Sequence, residues 1–175
     1  MRPVVIASAN GHQCRNGGAD TCVERAFRLM TGGVDVLDAL VAGVAIVELD
    51  PADSSVGFGG LPNADGVLEL DACCMHGPRR RAAGVAALSG VATAAAVAKR
   101  LMDVTNHHLL VGYGAREFAR GQGFDVVEDL HSDRSRAIWR EWKRRTDART
   151  VSDPGRRSSV WSCPAPRTRR FLICT

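Results

Sequence analysis

The sequence predicts an α/β fold in which helices and strands follow one another along residues 1–149. Several segments carry apolar residues at the three- and four-residue spacing of a helix that buries one face. Other, shorter segments are continuously apolar or alternate between apolar and acidic residues, which is typical of strands. Stretches rich in glycine and asparagine separate the two kinds of segment and indicate turns.

The first two elements are a predicted strand and a predicted helix. Pro3–Ser8 is a short apolar run that ends in a Ser-Ala-Asn-Gly turn, which indicates a strand. After a polar loop, Thr21 and Glu24 match the capping-box pattern that begins a helix. The apolar positions that follow have helical spacing, up to the pair Gly32 and Gly33: Val23, Ala26, Phe27 and Met30.

A second helix and a second strand flank a glycine-rich segment. The helix is predicted from Asp35 to about Glu48, because five apolar residues fall on one face: Leu37, Leu40, Val41, Val44 and Val47. The segment Asp53–Gly66 follows and contains clustered glycines and a turn sequence. It leads into Val67–Met75, where apolar and acidic residues alternate, so a half-buried strand is expected there.

Five elements are predicted in the rest of the chain. They are a strand at Gly84–Leu88, a helix at Thr93–Met102, a strand at His108–Val111, and helices at Ala115–Arg120 and Ser132–Arg145. Beyond Arg149 the apolar period is lost, and Arg, Ser and Pro dominate. Residues 150–175 are therefore predicted to be a disordered tail, separate from a first unit of residues 1–149.

Composition and charge exclude several classes of protein. The chain has 175 residues and 45% apolar content, enough for one globular core, and no run as long as a membrane span. Because no export signal is recognisable, we expect a cytoplasmic protein with six reduced cysteines. The net charge of +4 lies in residues 151–175, which hold five Arg and one acid. A neutral body argues against a nucleic-acid partner, although a basic tail with Trp161 and Phe171 that touches RNA remains an alternative.

Three motifs of the sequence are candidate ligand sites. Val111–Glu117 (VGYGARE) has the position of a dinucleotide fingerprint, but Glu117 occupies the third glycine position, where its charge would repel a pyrophosphate. Cys73 and His76 could form one pair of zinc ligands, whereas a structural zinc site needs two pairs. Three consecutive Arg at 79–81 could bind an anion, but a solvated loop is the simpler interpretation. No cofactor and no metal are therefore expected.

The two serines of the glycine-rich segment lack the context of an activated nucleophile. A nucleophile elbow places a serine between two glycines, between a strand and a helix. Ser54 and Ser55 precede the glycines, and a turn and a strand follow them. A serine hydroxyl in this position is better suited to donate or accept a hydrogen bond than to attack a substrate.

The stretch DSSVGFGGLPNADGVLELDA, residues 53–72, resembles the central motif of the glycosylasparaginase and plant-type asparaginase family of N-terminal nucleophile hydrolases. Further segments resemble the family in the same order: VVIASANG, GGVDVLDALVAGVAIVE, DACCMHGPRRRAAGVAAL, VAKRLMDVTNHHLLVGYGAREFARGQGF and HSDRSRAIWREWKRR. The resemblance covers about residues 3–145 and is greatest to the bacterial branch of the family.

The resemblance implies a four-layer αββα sandwich, of which this chain would form the incomplete N-terminal part. In the family a precursor cuts itself, and the new N-terminal threonine attacks the side-chain amide of asparagine or glycosylated asparagine. The α-amine of that threonine acts as the base, and hydrogen-bond donors hold the oxyanion. No cofactor is implied, and processed molecules commonly pair, so a homo-oligomer is possible.

Five residues of this chain match the surroundings of the family's nucleophile. Ser55 matches the serine that supports the nucleophile through hydrogen bonds, and Gly57, Gly59 and Gly60 match the glycines beside it. Asn10 lies at the end of the first predicted strand, which reaches the same cavity in the family. Loop geometry alone is the alternative for all five, and it is the preferred one for Asn10.

The end of the sequence departs from the family pattern. None of the late threonines is followed by the apolar, glycine-bearing strand that begins the second subunit: Thr146, Thr150, Thr168 and Thr175. We therefore expect a chain without its catalytic threonine, a truncated or frameshifted product that is inactive alone and lacks a partner subunit. A non-catalytic remnant or structural partner is the alternative.

Overall fold

The helices and strands of a computed structural model follow most of the predicted order. The structure describes residues 3–7, 9–152 and 172–173. A 3-10 helix at Ala9–His12 is followed by α1 (Cys22–Thr31), α2 (Val36–Glu48), β1 (Leu70–His76), β2 (Arg81–Leu88), α3 (Ala94–Val104), β3 (Leu109–Val111), α4 (Gly112–Gly121), α5 (Asp133–Ser152) and β4 (Leu172–Ile173). The prediction of a mixed α/β chain is confirmed.

The strands form one sheet in the order β3-β2-β1-β4. The hairpin β1–β2 is antiparallel, with Cys74 opposite Ala83 and a register shift between Leu70 and Ala72. Strand β3 pairs parallel to β2, and β4 pairs parallel to β1. Helices α2, α3 and α4 contact the sheet. A second sheet does not occur among the described residues, so the αββα layering remains a prediction.

The core lies between the sheet and these helices. Its largest fully buried apolar side chains come from α2, β2, α3 and the segment before α3: Leu37, Val47, Val85, Leu88, Val91, Val97, Leu101 and Met102. Alternation along the strands leaves other apolar side chains outside this core, since Met75, Leu109 and Val111 are each about half exposed. The sheet therefore has one buried face and one partly exposed apolar face.

The strand predicted at Pro3–Ser8 is wrong over the described residues 3–7, which have no regular structure. Val4 is 75% exposed and Ile6 is 90% exposed, so neither side chain reaches the core. A strand is stable only beside a partner whose backbone groups it can pair with, and a local apolar run does not supply that partner.

The predicted tail falls mostly outside the described residues. Helix α5 continues to Ser152, beyond the boundary expected at Arg149, and β4 lies within residues 150–175.

The described cysteines are all free thiols: Cys14, Cys22, Cys73 and Cys74. Every helix in the described ranges is too short or too polar to cross a lipid bilayer.

The capping box that begins α1 gives a first testable prediction. The Thr21 hydroxyl accepts from the backbone N–H of Glu24 at 3.3 Å, and the Glu24 carboxylate accepts from the Thr21 N–H at 2.8 Å. We expect Thr21→Ala to lower the free energy of unfolding by about 1 kcal/mol. Thr93 precedes α3 without a capping side-chain bond, so Thr93→Ala is the matched control for urea denaturation. Equal losses in the two variants would contradict a stabilising cap.

Candidate active site

Residues 53–60, here called the glycine loop, are bound on one side to the end of α2. The Phe58 N–H donates to the Glu48 carbonyl oxygen at 2.7 Å. Gly57 has a φ of +58°, and a Cβ atom placed there would lie 1.9 Å from the same carbonyl oxygen. No side chain fits in that space, so glycine is required both by the backbone conformation and by the close approach.

The other side of the glycine loop is bound to the segment that precedes α5. The Gly59 N–H donates to the Leu130 carbonyl at 2.7 Å. A Cβ atom on Gly59 would lie 3.1 Å from the Ser132 hydroxyl oxygen. The loop is closed on itself by Leu61 N–H, which donates to the Ser54 carbonyl at 3.1 Å. The three predicted glycines 57, 59 and 60 are buried. Gly57 lies against α2 and Gly59 against Ser132, whereas Gly60 lies against the loop's own residues Val56 and Gly57.

Ser55 is fixed within this loop by a neighbouring carboxylate. The Asp53 Oδ1 atom accepts from the Ser55 backbone N–H at 2.7 Å and also from the Ser55 hydroxyl group. Asp53 is only 6% exposed, so these bonds form with little competition from water. The Ser55 hydroxyl hydrogen is directed at Asp53, which fixes the orientation of the oxygen.

The Cys14 thiol also meets this carboxylate, with its sulfur 3.8 Å from Asp53 Oδ2. Burial raises the pKa of the Cys14 thiol, and the negative charges of Asp53 and Asp50 raise it further. Cys14 is therefore held as a neutral thiol that donates to Asp53. The contact joins the glycine loop to the segment after the 3-10 helix.

Asn10 lies in the 3-10 helix Ala9–His12 rather than at the end of a strand. This short helix contacts α1 and α2, and Gly11 faces the Cys22 side chain at the start of α1. The structure brings Ser55 and the three glycines into one loop. Asn10 belongs to a neighbouring segment, and its part in the site remains a prediction.

Sequence reasoning missed Asp53 as the partner of Ser55. A local signal was present, because an aspartate two residues before a serine is a frequent way to accept that residue's backbone N–H in a turn. The sequence also predicted α2 to end at about Glu48 without assigning Glu48 a role. Its side chain is 4% exposed, and Oε1 accepts from the Ala95 N–H at 2.9 Å. This contact joins residues far apart in sequence and has no local signature.

Asp53 gives a second testable prediction. We expect Asp53→Ala to lower the free energy of unfolding by about 2 kcal/mol, because the hydrogen bonds from Ser55 and Cys14 to a buried carboxylate are lost. Urea denaturation measures this loss. Ser54→Ala is the matched control, since Ser54 contributes its backbone carbonyl to the loop and a substitution keeps that group. A loss in Asp53→Ala no larger than in Ser54→Ala would contradict a structural role for the carboxylate.

His76, one member of the zinc alternative, is engaged elsewhere. Its Nε2 atom lies 2.9 Å from Asp35 Oδ2, and its Nδ1 atom accepts from the Arg79 N–H at 3.1 Å. Asp35 is also the N-cap of α2, so the pair fixes the end of β1 to the start of that helix. Both ring nitrogens are occupied by protein groups. Among the described residues, no three His, Cys, Asp or Glu side chains form a group suited to a metal ion.

The curated proteins similar in sequence to this chain are named as asparaginases of several kinds. The chain belongs to the asparaginase family, whose family model, described as asparaginase, matches residues 5–165. The match includes the glycine loop and both strands of the β1–β2 hairpin. It ends within the predicted tail.

Three curated relatives illustrate the similarity. The N(4)-(beta-N-acetylglucosaminyl)-L-asparaginase of Elizabethkingia miricola is 38% identical over 81% of this chain and 39% of its own length. The enzyme of the same name from Mus musculus is 38% identical over 68% of this chain and 34% of its own length. The isoaspartyl peptidase/L-asparaginase of Mus musculus is 28% identical over 87% of this chain and 47% of its own length. The chain thus spans less than half the length of each of these relatives.

Proposed function

We propose that this chain is the N-terminal part of an asparaginase-type amidohydrolase, in which the glycine loop forms one wall of the active site. The observation that carries the proposal is the fixed geometry of Ser55, whose hydroxyl group is bound to Asp53. Ser55 is the residue that matches the family's supporting serine. Membership in the asparaginase family and the names of the relatives support an amide substrate.

The proposed reaction uses a threonine at the start of a second subunit. Its hydroxyl oxygen attacks the side-chain amide carbon of the substrate, and its own α-amine takes the hydroxyl proton. The C–N bond then breaks, and ammonia or an aminosugar leaves with a proton. Water attacks the resulting ester, which releases aspartate and restores the threonine hydroxyl. In this scheme Ser55 contacts the threonine by a hydrogen bond and does not react.

The same proposal explains the partly exposed apolar face of the sheet. Met75 is 43% exposed, Leu109 is 56% exposed and Val111 is 55% exposed, which is costly for apolar groups in water. A second sheet packed on this face would remove them from water, as expected for the inner pair of layers in an αββα sandwich. The proposed partner is therefore the threonine-led second subunit. A homo-oligomer of the processed protein is a further possibility of this proposal.

Asparagine and glycosylated asparagine are the two proposed substrates. Relatives named for the glycosylated substrate are up to 38% identical to the chain, and a relative named plant-type L-asparaginase is 37% identical. Both substrates therefore belong to the proposal. The comparisons do not favour a non-catalytic remnant or a nucleic-acid-binding protein.

Complementation tests the proposed function. The 175-residue chain is produced alone and together with the part of the Elizabethkingia miricola relative that this chain does not cover. Ammonia release from asparagine and aspartate release from N-glycosylated asparagine are then measured. We expect no release by the chain alone, release by the pair, and a large loss of release in the pair when Ser55 is replaced by alanine. Ser54→Ala is the matched control and should retain activity.

Two outcomes would overturn the proposal. Release of ammonia by the pure chain alone would show that it does not need a second subunit. A chain that is folded by circular dichroism but neither binds the second part nor supports release would exclude the proposed partnership.

A further inference from the structure

Glu48 connects three parts of the fold through two hydrogen bonds. Its carbonyl oxygen accepts from Phe58 in the glycine loop at 2.7 Å. Its carboxylate oxygen Oε1 accepts from Ala95 in the first turn of α3 at 2.9 Å. Because both acceptors belong to one residue at the end of α2, the position of the glycine loop depends on the position of α3.

The first turn of α3 relies on this distant side chain. Thr93, at the N-cap position, makes no side-chain cap bond, and the first turn has no acidic residue. Backbone N–H groups at a helix start need acceptors, and the Glu48 carboxyl group supplies one of them from a different helix. Loss of the carboxyl group would leave a buried N–H unpaired.

The second carboxyl oxygen of Glu48 has no hydrogen-bond partner within the described residues, although it is buried. Burial raises the pKa of Glu48 to about 7, and the Ala95 N–H partly offsets this effect. The group is therefore largely protonated in mildly acidic solution and ionises as the pH rises past neutrality. An ionised Glu48 would hold a negative charge with only one hydrogen bond.

The neighbouring titratable groups do not supply a positive partner. Cys22 lies at the start of α1. Burial raises the pKa of the Cys22 thiol to about 11, and the negative charge of Glu48 contributes to this increase. Asp50 accepts from the Ala52 N–H at 2.9 Å, and Asp53 is bound to Ser55 and Cys14. Burial and the Ala95 N–H are the influences on the pKa of Glu48, and neither is a charged partner.

We propose that Glu48 is a positioning residue of the glycine loop, and that the loop holds its described geometry when the Glu48 carboxyl group is protonated. On ionisation the unpaired oxygen draws in water, which displaces the end of α2 and weakens the bond from Phe58, while the bond from the Ala95 N–H to the carboxylate is kept. The inference concerns this chain alone and does not rest on the proposed enzymatic function.

Amide hydrogen exchange of the 175-residue chain tests this inference. Exchange of residues 56–60 is measured between pH 5.5 and 8.5, corrected for intrinsic rates, with β2 (Arg81–Leu88) as an internal reference. We expect protection of the loop in the native chain to fall by up to about tenfold per pH unit as the pH rises towards the folded-state pKa of Glu48, and to level off above that pKa. Glu48→Gln, which cannot ionise, should show no such fall, while protection of β2 changes less.

Two further variants keep the test decisive. Glu69→Gln removes an exposed carboxyl group that accepts from Asn63, and it should retain the native pH response of the loop. Glu48→Ala should leave the loop weakly protected at every pH. If it does not fold, the carbon-13 titration of the Glu48 carboxyl in the native chain still reports ionisation. An identical pH response of the loop in the native chain and Glu48→Gln, or a Glu48 that titrates near its ordinary value, would overturn the inference.

Discussion

Gly57→Ala is expected to lower the free energy of unfolding by more than about 4 kcal/mol, the range of severe core lesions. An alanine Cβ would lie 1.9 Å from the Glu48 carbonyl oxygen and 2.5 Å from its carbonyl carbon and Cα. These are backbone atoms of a helix end, so they cannot rotate away as a side chain could. The substitution must break the Phe58–Glu48 hydrogen bond or displace the end of α2.

Gly123→Ala is a control that separates the steric clash expected in Gly57→Ala from the strain of placing alanine in a left-handed backbone conformation. Gly123 has a φ of +83° and no atom within 4 Å of its would-be Cβ, so Gly123→Ala carries only the strain of a left-handed conformation, about 1 kcal/mol. Urea denaturation of both variants gives the difference. If Gly57→Ala and Gly123→Ala lost equal amounts, the close approach of the glycine loop to α2 would be disproved.

Glu48→Gln is expected to remove a pH-dependent contribution of about 3 kcal/mol to the free energy of unfolding. The size follows from a Glu48 pKa that is raised from 4.5 to about 7 in the folded chain. Between these values the folded chain binds more protons than the unfolded chain. The stabilising contribution is thus complete below the unfolded-state pKa and is lost as the pH rises through the folded-state pKa. The native chain should therefore lose stability relative to Glu48→Gln from about pH 5 to pH 8.

Urea denaturation at a series of pH values measures this difference. Glu69→Gln serves as the control, because its carboxyl group is exposed and its replacement should leave the slope of the native chain unchanged. Parallel pH curves for the native chain and Glu48→Gln would show that the Glu48 carboxyl group ionises at its ordinary pKa in the fold.

Elements with local determinants were predictable from sequence. The capping box at Thr21 is confirmed because its two hydrogen bonds join residues three positions apart. Helix α2 begins after Asp35, as its side chain caps the first turn. The strand of residues 3–8 failed because periodicity reports which side chains are apolar and not whether a partner strand lies beside them.

The candidate site likewise has features that are local in sequence and predictable, and others that depend on the tertiary structure. The family resemblance singled out the glycines at 57 and 59, and both have positive φ in the structure. The bond from Ser55 to Asp53 spans two residues and was within reach of turn patterns. The Glu48–Ala95 bond joins the end of one helix to the start of another across the glycine loop and the β1–β2 hairpin. Only the tertiary structure brings such groups together.

The two attachments of the glycine loop have different consequences for the order of folding. The bond from Phe58 to Glu48 closes a short stretch of chain, whereas the bond from Gly59 to Leu130 closes a stretch that includes the hairpin, α3, β3 and α4. The entropy lost on closure grows with the length of the closed segment. During synthesis the first attachment can form as soon as α2 and the loop have left the ribosome. The second must wait for Leu130, so the glycine loop that carries Ser55 is completed late.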